Sequence, residues 1–103
     1  MTDVTVENNP EAHRYEAHLD GELAGFAEYQ LTDDLVVFTH TIVEPEHEGQ
    51  GVGTALARFA LDDVRAQGDR RVLALCWFIQ AFIERNPEYA DLVYDAPAST
   101  ARD

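Results

Sequence analysis

Three glycines, Gly49, Gly51 and Gly53, lie within five positions just before a helical pattern, in the stretch "EGQGVGTAL". The first amides of a helix have no partner within the helix and carry partial positive charge, so they attract phosphate. Glycine lets the backbone approach an anion closely and adopt positive φ. The spacing predicts a pyrophosphate-binding turn at residues 49–54. The alternative is a tight strand-to-helix turn that binds nothing.

Two common phosphate-binding motifs are excluded. A P-loop needs Gly-Lys-Ser/Thr, and this chain contains no lysine. The dinucleotide motif GxGxxG also fails, because its third glycine is replaced by Thr54 or Leu56, depending on the starting glycine. With 103 residues, the chain is also too short for a second Rossmann half.

His40 and Cys76 are the other candidates for chemistry, one near the end of each of two apolar runs. An imidazole can accept a proton from a nucleophile, and a thiol can donate a proton or accept an acyl group. The alternatives are a hydrogen-bonded core histidine and a small buried hydrophobic residue. No HExxH motif or carboxylate pair at metal-ligand spacing is present, so we expect no metal site.

The predicted elements would bring these residues together. Apolar patterns predict strands at residues 4–7, 13–19, 22–31, 35–43 and 71–78, and helices at residues 51–68 and 79–86. Asp20-Gly21 predicts a hairpin. A strand, helix and strand in sequence form a right-handed crossover, so the last two strands should be parallel. The glycine turn then lies at a carboxyl end of the sheet, where ligands bind in α/β proteins.

Charge restricts the partners. The chain has 20 acidic residues and seven basic ones, all arginine, for a net charge of −13. This lysine-free acidic composition is typical of proteins that work in molar salt, and 46% apolar residues argue against disorder. We expect neither nucleic acid nor an anionic membrane as partner. The chain has no long apolar segment and begins with acidic, polar residues, so we expect it to be cytoplasmic.

Two stretches resemble a known family. "HTIVEPEHEGQGVGTALARFALDDVRAQG" resembles the coenzyme A pyrophosphate loop and helix of the GNAT superfamily of acetyltransferases, whose motif is Q/R-x-x-G-x-G/A. Glu48 stands at the first position of that motif in place of Gln or Arg, and we expect its carboxylate to point outward. "LCWFIQAFIERNPEYADLV" resembles the minimal GNAT-like N-acetyltransferases, which are as short as this chain. The resemblance implies an α/β (α+β) fold, a truncated GNAT-like domain at residues 1–94, with a flexible tail at residues 95–103. Its mixed, mostly antiparallel sheet would contain a splayed central parallel strand pair, with two main helices.

The resemblance also implies an activity: transfer of an acetyl group from acetyl-CoA to an unidentified amine. A non-catalytic coenzyme A or acyl-CoA binding module and an interaction scaffold are the alternatives, and the oligomeric state is open. His40 would be the general base, and Cys76 the acid or a transient acetyl acceptor. Arg85 stands where many GNAT enzymes have an acidic tyrosine, and Tyr89 is a weaker candidate for that acid. The implied cofactor contacts are Thr41, Ile42, Val43, Gly49, Gln50, Gly51, Val52, Gly53, Thr54, Arg58 and Trp77.

Overall fold

The computed structural model of the protein describes residues 4–94. The predicted flexible tail, residues 95–103, lies outside the described residues. The elements are β1 (Val4–Asn9), β2 (Arg14–Leu19), β3 (Glu22–Leu31), β4 (Leu35–Val43), α1 (Val52–Gln67), β5 (Arg71–Ala74) and α2 (Trp77–Arg85). Two 3₁₀ helices follow β4 and α2, at Pro45–His47 and Pro87–Leu92. Residues 4–94 therefore contain two main helices, as predicted.

The five strands form one sheet in chain order, β1-β2-β3-β4-β5. Neighbouring strands are antiparallel except β4 and β5, which are parallel. Asp20 and Gly21 form the turn between β2 and β3, both with positive φ, 53° and 83°. This backbone matches the right-handed twist of a hairpin and explains the strength of the Asp-Gly signal. The predicted mixed, mostly antiparallel sheet with one parallel pair is confirmed.

Helix α1 covers one face of the sheet and contacts β1 to β4. Its buried side chains recur at helical spacing, at Val52, Leu56, Ala57, Ala60, Leu61 and Val64. They pack on a strand layer that includes Tyr15, Tyr29 and Phe38, whose rings lie within 6.4 Å of one another, centroid to centroid. The helix ends at Gly68, which has a φ of 76° and donates its N–H to the Val64 carbonyl. This core holds the glycine turn at one end of the sheet.

The predicted last strand is too long. Residues 71–78 were expected to be a buried strand, but β5 ends at Ala74 and α2 begins at Trp77. Leu75 and Trp77 are exposed, 61% and 74% respectively, so this apolar run does not continue into the core. The chain leaves the sheet because the Phe38 carbonyl accepts two consecutive amides, from Leu75 at 2.9 Å and Cys76 at 3.2 Å. An apolar run alone does not distinguish a strand from the start of a helix.

The 3₁₀ helix Pro87–Leu92 joins α2 to the outer side of α1. Tyr89 is buried there and its hydroxyl donates a hydrogen bond to Asp62 at 2.7 Å. Burial and this carboxylate raise the pKa of Tyr89. Arg65 on α1 forms an ion pair with Asp91 at 2.9 Å. Tyr89 is thus committed to packing.

None of the described helices is long and apolar enough to cross a membrane.

A β-bulge in β4 determines which side chains face the helices. Glu28 pairs with His40 and Tyr29 pairs with Phe38, so Thr39 has no cross-strand partner. An extra residue in one strand shifts the alternation of side chains by one position. After the bulge, Thr41 and Val43 are therefore on the α1 side, and His40 and Ile42 on the other. We call the side opposite α1 the open face.

Candidate active site

The parallel strand pair splays apart beyond Phe38. Pairing between β4 and β5 ends at Phe38 and Ala74, while β4 continues to Val43. Glu44 donates its N–H to Ala24 on β3. Backbone groups of alternate residues point to opposite neighbours, so those of Thr41 and Val43 face away from β3, into the gap left by β5. Within residues 4–94, the backbone donors and acceptors of Thr41 and Val43 therefore have no strand partner in the gap. The Ile42 carbonyl faces β3, toward Gly25.

The glycine turn connects this gap to α1. Gly49 and Gly51 both have a φ of 82°, which L side chains rarely adopt. A Cβ at either position would have nothing within 4 Å. There is room for a side chain at both positions, so it is the positive φ that favours glycine there. Gln50, between them, is exposed.

The first turn of α1 offers free amides. Gly51 is the N-cap residue and, as a glycine, has no side chain that could cap the helix. Ala55 donates the first helical hydrogen bond, to the Gly51 carbonyl at 2.9 Å. Within residues 4–94, the N–H groups of the three preceding residues, Val52 to Thr54, donate no hydrogen bond. No acidic residue lies in this first turn. Three N–H groups at the positive end of a 16-residue helix can therefore hold an anion.

Gly53 has a different role from the other two glycines. A Cβ on Gly53 would lie 2.7 Å from Cζ of Phe78, closer than real contacts allow. The glycine allows α2 to approach the start of α1. The sequence alone did not separate this packing role from phosphate binding.

A small cavity lies between α1 and α2 beside the glycine turn. Its volume is about 170 Å³, and its lining residues are Thr54, Trp77, Phe78, Ala81, Phe82 and Arg85. Arg85 and Thr54 therefore line the same recess. Sequence reasoning missed this, since it treated Arg85 only as the replacement for a tyrosine. A signal was available: Trp77, Ala81 and Arg85 are four residues apart on one helix, so they share a face.

Arg58 is not directed at the glycine turn. Its guanidinium contacts Tyr89 and Asn86, both at 3.4 Å, and lies 5.4 Å from the centroid of the Phe82 ring. The sequence placed Arg58 among the cofactor contacts because it follows the turn along the helix. The structure instead assigns it a packing role between α1, α2 and the 3₁₀ helix Pro87–Leu92.

Cys76 lies at the start of α2, next to the gap. The thiol is buried, and its Sγ is 3.4 Å from Oγ1 of Thr41. Cys76 is also the N-cap residue of α2. The thiol thus faces the α1 side of β4, beside the backbone that is free of β5.

His40 lies on the open face, 69% exposed, with Nδ1 3.5 Å from Oε1 of Glu28. His40 and Cys76 were expected to face the gap together. The bulge at Thr39 places them on opposite sides of β4, so the expected direct contact does not form. A His40-assisted thiolate at Cys76 is therefore not supported by the geometry.

Other polar clusters lie outside the gap. Two groups, Glu22 with Glu46 and His47, and Glu7 with Glu16 and His18, have side-chain atoms close enough to share a cation. Each group joins two residues that are close in sequence to a third from another element of the fold, so spacing alone could not reveal them. A larger cavity, about 420 Å³, includes Asp34, Asp69, Arg70 and Arg71 at the opposite end of β4 and β5. Both arginines there already donate to backbone carbonyls, of Thr32 and Asp91.

The sequence matches a known family model and a curated relative. Residues 14–92 match the family model of the GCN5-related N-acetyltransferases. Protein NATD1 of Bos taurus is 40% identical over 53 residues, 52% of this chain. The match spans about half of that relative, 46% of its length.

Solved structures share the fold. A GCN5-like protein from Staphylococcus aureus superposes with a TM-score of 0.67 at 19% identity, over 100% of both chains. The ribosomal-protein-S18-alanine N-acetyltransferase of Escherichia coli superposes with a TM-score of 0.55 at 18% identity, over 70% of this chain and 66% of that one. Because the family model matches more than half of the sequence, the chain belongs to the GCN5-related N-acetyltransferase family.

Proposed function

We propose that the protein transfers an acetyl group from acetyl-CoA to an amine, with the cofactor lying along the gap between β4 and β5. The observation that carries the proposal is that two sets of backbone groups without partners in the described residues lie next to each other. The free edge of β4 at Thr41 and Val43 leads directly to the free amides of Val52 to Thr54. An elongated ligand with an amide chain and a pyrophosphate fits both surfaces.

The residues of the turn fit the pyrophosphate by chemistry and by shape. The backbone at Gly49 and Gly51 has no side chain in front of it, so an anion can approach the amides. Arg85, which lines the same cavity as Thr54, adds a positive charge in a chain whose net charge is −13. Trp77 lines the same cavity and offers an apolar surface to the cofactor.

His40 and Cys76 supply the proton transfers in this proposal. Bound acetyl-CoA provides a thioester whose C–S bond is replaced by a C–N bond to the amine. His40 takes the proton that the amine nitrogen releases, through Nε2, because Nδ1 faces Glu28. Cys76 gives its thiol proton to the departing sulfur from the other side of β4. Exchange with solvent then restores both groups.

In a second route, Cys76 is a transient acetyl acceptor, and the acetylated cysteine can be detected as a covalent adduct. Intact mass spectrometry after mixing with acetyl-CoA, without an amine, separates the two routes. An unchanged protein mass supports Cys76 as the proton donor. A mass increase of one acetyl group, which is absent from the Cys76→Ser variant, supports Cys76 as the acetyl acceptor. Serine preserves the contact with the Thr41 hydroxyl, so it is the matched control.

A coenzyme A binding module without turnover is the second candidate. It is favoured by the separation of His40 from Cys76 and by the replacement of the usual tyrosine by Arg85. An interaction scaffold would require neither cofactor binding nor turnover. Transfer to any amine would exclude both of these alternatives.

The deciding experiment is calorimetric titration of coenzyme A and acetyl-CoA into the protein at about 1 M KCl, where the Debye length is ~3 Å. ATP and NADH are the controls, since they carry phosphates without the pantetheine chain. We expect binding of the two thio-cofactors alone. A folded protein that binds neither would refute the cofactor site, and equal binding of all four ligands would reduce it to a general phosphate site.

A further inference from the structure

We propose that the acceptor is a small diamine or polyamine, whose second positive charge is held by Glu28 while its reacting nitrogen lies at His40. This inference rests on the proposed acetyl transfer and names the acceptor class of that same site. It is carried by the charges and apolar groups that surround His40 on the open face.

The first observation is an unneutralised carboxylate beside the proposed base. Glu28 and His40 are directly opposite each other on β3 and β4. Glu28 is 44% exposed, and its Oε1 lies 3.5 Å from His40. Within the described part of the chain, the Glu28 carboxylate has no hydrogen bond and no other ion pair. It can therefore accept a hydrogen bond from an ammonium group that approaches from solvent.

The second observation concerns the nearest arginine on this face. Arg14 pairs with Glu28 in the register of β2 and β3, yet its Nε donates to Glu16 at 2.7 Å. The guanidinium also lies over the Phe26 ring, 4.5 Å from its centroid. Glu16 thus neutralises Arg14, which leaves Glu28 as the local excess charge. A carboxylate on the acceptor would meet repulsion at this position.

The third observation is an apolar surface next to the two polar groups. Phe26 and Ile42 are cross-strand partners on the same face as Glu28 and His40. Ile42 is exposed, so methylene groups of a ligand can lie on it. An amine at His40, an alkyl chain over Ile42 and a second ammonium at Glu28 match a short diamine. The net charge of −13 also favours the approach of a cation.

The test uses three acceptors that each contain four carbon atoms: 1,4-diaminobutane, butylamine and 4-aminobutyrate. They share the reacting amine and differ in a terminal ammonium, methyl or carboxylate. Product formation from acetyl-CoA is followed by mass spectrometry at about 1 M KCl, which screens the global charge. We expect kcat/KM for the diamine to exceed that for butylamine by about fivefold, with 4-aminobutyrate lowest.

Glu28→Gln should equalise the three acceptors, whereas Glu84→Gln should retain their order. Glu84 is an exposed residue of α2 without an ion pair in the described range, so it controls for the loss of one charge. If Glu28 only orients His40, the variant lowers all three rates and leaves their ratio unchanged, which would overturn the proposal. Thermal unfolding in the same salt verifies that both variants fold.

Failure of this inference can be told apart from failure of the proposed function. Equal rates with the diamine and butylamine would overturn the proposal that the acceptor is a diamine and would leave the proposed acetyl transfer intact. Acetylation of an N-terminal alanine peptide, with no acetylation of the three amines, would have the same meaning. Binding of coenzyme A without acetylation of any acceptor overturns the diamine class and favours the binding module. Loss of coenzyme A binding itself overturns the proposed function, and the acceptor class with it.

Discussion

The ring of Phe78 fills the space beside Gly53, where a Cβ would lie 2.7 Å from Cζ. This contact joins the first turns of α1 and α2 and forms one wall of the cavity at the glycine turn. The close approach of the Phe78 ring to α1 therefore depends on the absence of a Cβ at Gly53.

Gly53→Ala should destabilise the protein by about 1–3 kcal/mol through overpacking, although alanine is the better helix former. Urea unfolding in high KCl measures the loss. Phe78→Leu should relieve part of it in the double variant, since residues in contact do not behave additively. Additive effects, or a gain in stability from Gly53→Ala alone, would mean that the two helices are not in this contact.

Gly51→Ala and Gly68→Ala form a matched pair at the two ends of α1. Their φ angles are 82° and 76°, so each alanine should cost about 1–2 kcal/mol of stability. Only Gly51 belongs to the proposed pyrophosphate turn. We expect calorimetry to show weaker coenzyme A binding for Gly51→Ala and unchanged binding for Gly68→Ala. Equal affinities would assign the turn to packing.

His40→Gln should lower kcat for acetyl transfer by about a hundredfold or more, the usual contribution of a general base. The side chain is largely exposed, so neither the unfolding temperature nor coenzyme A affinity should change. His18→Gln, the same substitution on the open face of β2, serves as the control. Full activity of His40→Gln would remove His40 from the mechanism and leave the cofactor site intact.

Affinity for acetyl-CoA should rise as KCl is increased from low concentration toward about 1 M. The protein and the cofactor are both anionic, so screening lowers their repulsion and also stabilises the folded chain. Calorimetric titrations at several KCl concentrations, with circular dichroism at each, separate the two effects. A steady fall in affinity while the fold remains intact would contradict the expectation.

Stability should decline above about pH 10, the pKa of an unperturbed tyrosine. Burial, followed by a hydrogen bond to Asp63 at 2.7 Å, raises the pKa of Tyr15 far above that value. Above about pH 10, Tyr15 releases its proton more readily in the unfolded chain, so rising pH favours unfolding. Below about pH 10, Tyr15 is protonated in both the folded and the unfolded chain, so its contribution to the free energy of unfolding does not change with pH.

Tyr15→Phe tests the origin of this decline. The variant should be less stable at neutral pH, because it loses the bond to Asp63, but its stability should fall less steeply above about pH 10. Urea unfolding at neutral and alkaline pH measures both effects. An unchanged alkaline slope would attribute the decline to other groups.

Most of the architecture was predictable because the relevant signals are local. The bounds of β3 and β4 follow from apolar and β-branched runs, and Asp20-Gly21 determines the hairpin by its backbone preference. Two glycines with positive φ, Gly51 and Gly68, bound α1 as expected. The end of β5 was wrong, since Leu75 and Trp77 look like core residues and are exposed.

The sequence by itself determined the succession of strands and helices along the chain, the parallel pair and the position of the glycine turn, because these follow from periodicity and from the handedness of the crossover. Only the tertiary structure decided which side chains meet. The unpaired Thr39 reverses the alternation of β4 and separates His40 from Cys76. The packing of α2 on α1 places Arg85 and Thr54 in the lining of one cavity, whereas the Arg58 guanidinium contacts Tyr89 and Asn86. Such outcomes depend on register and helix packing, which no local pattern encodes.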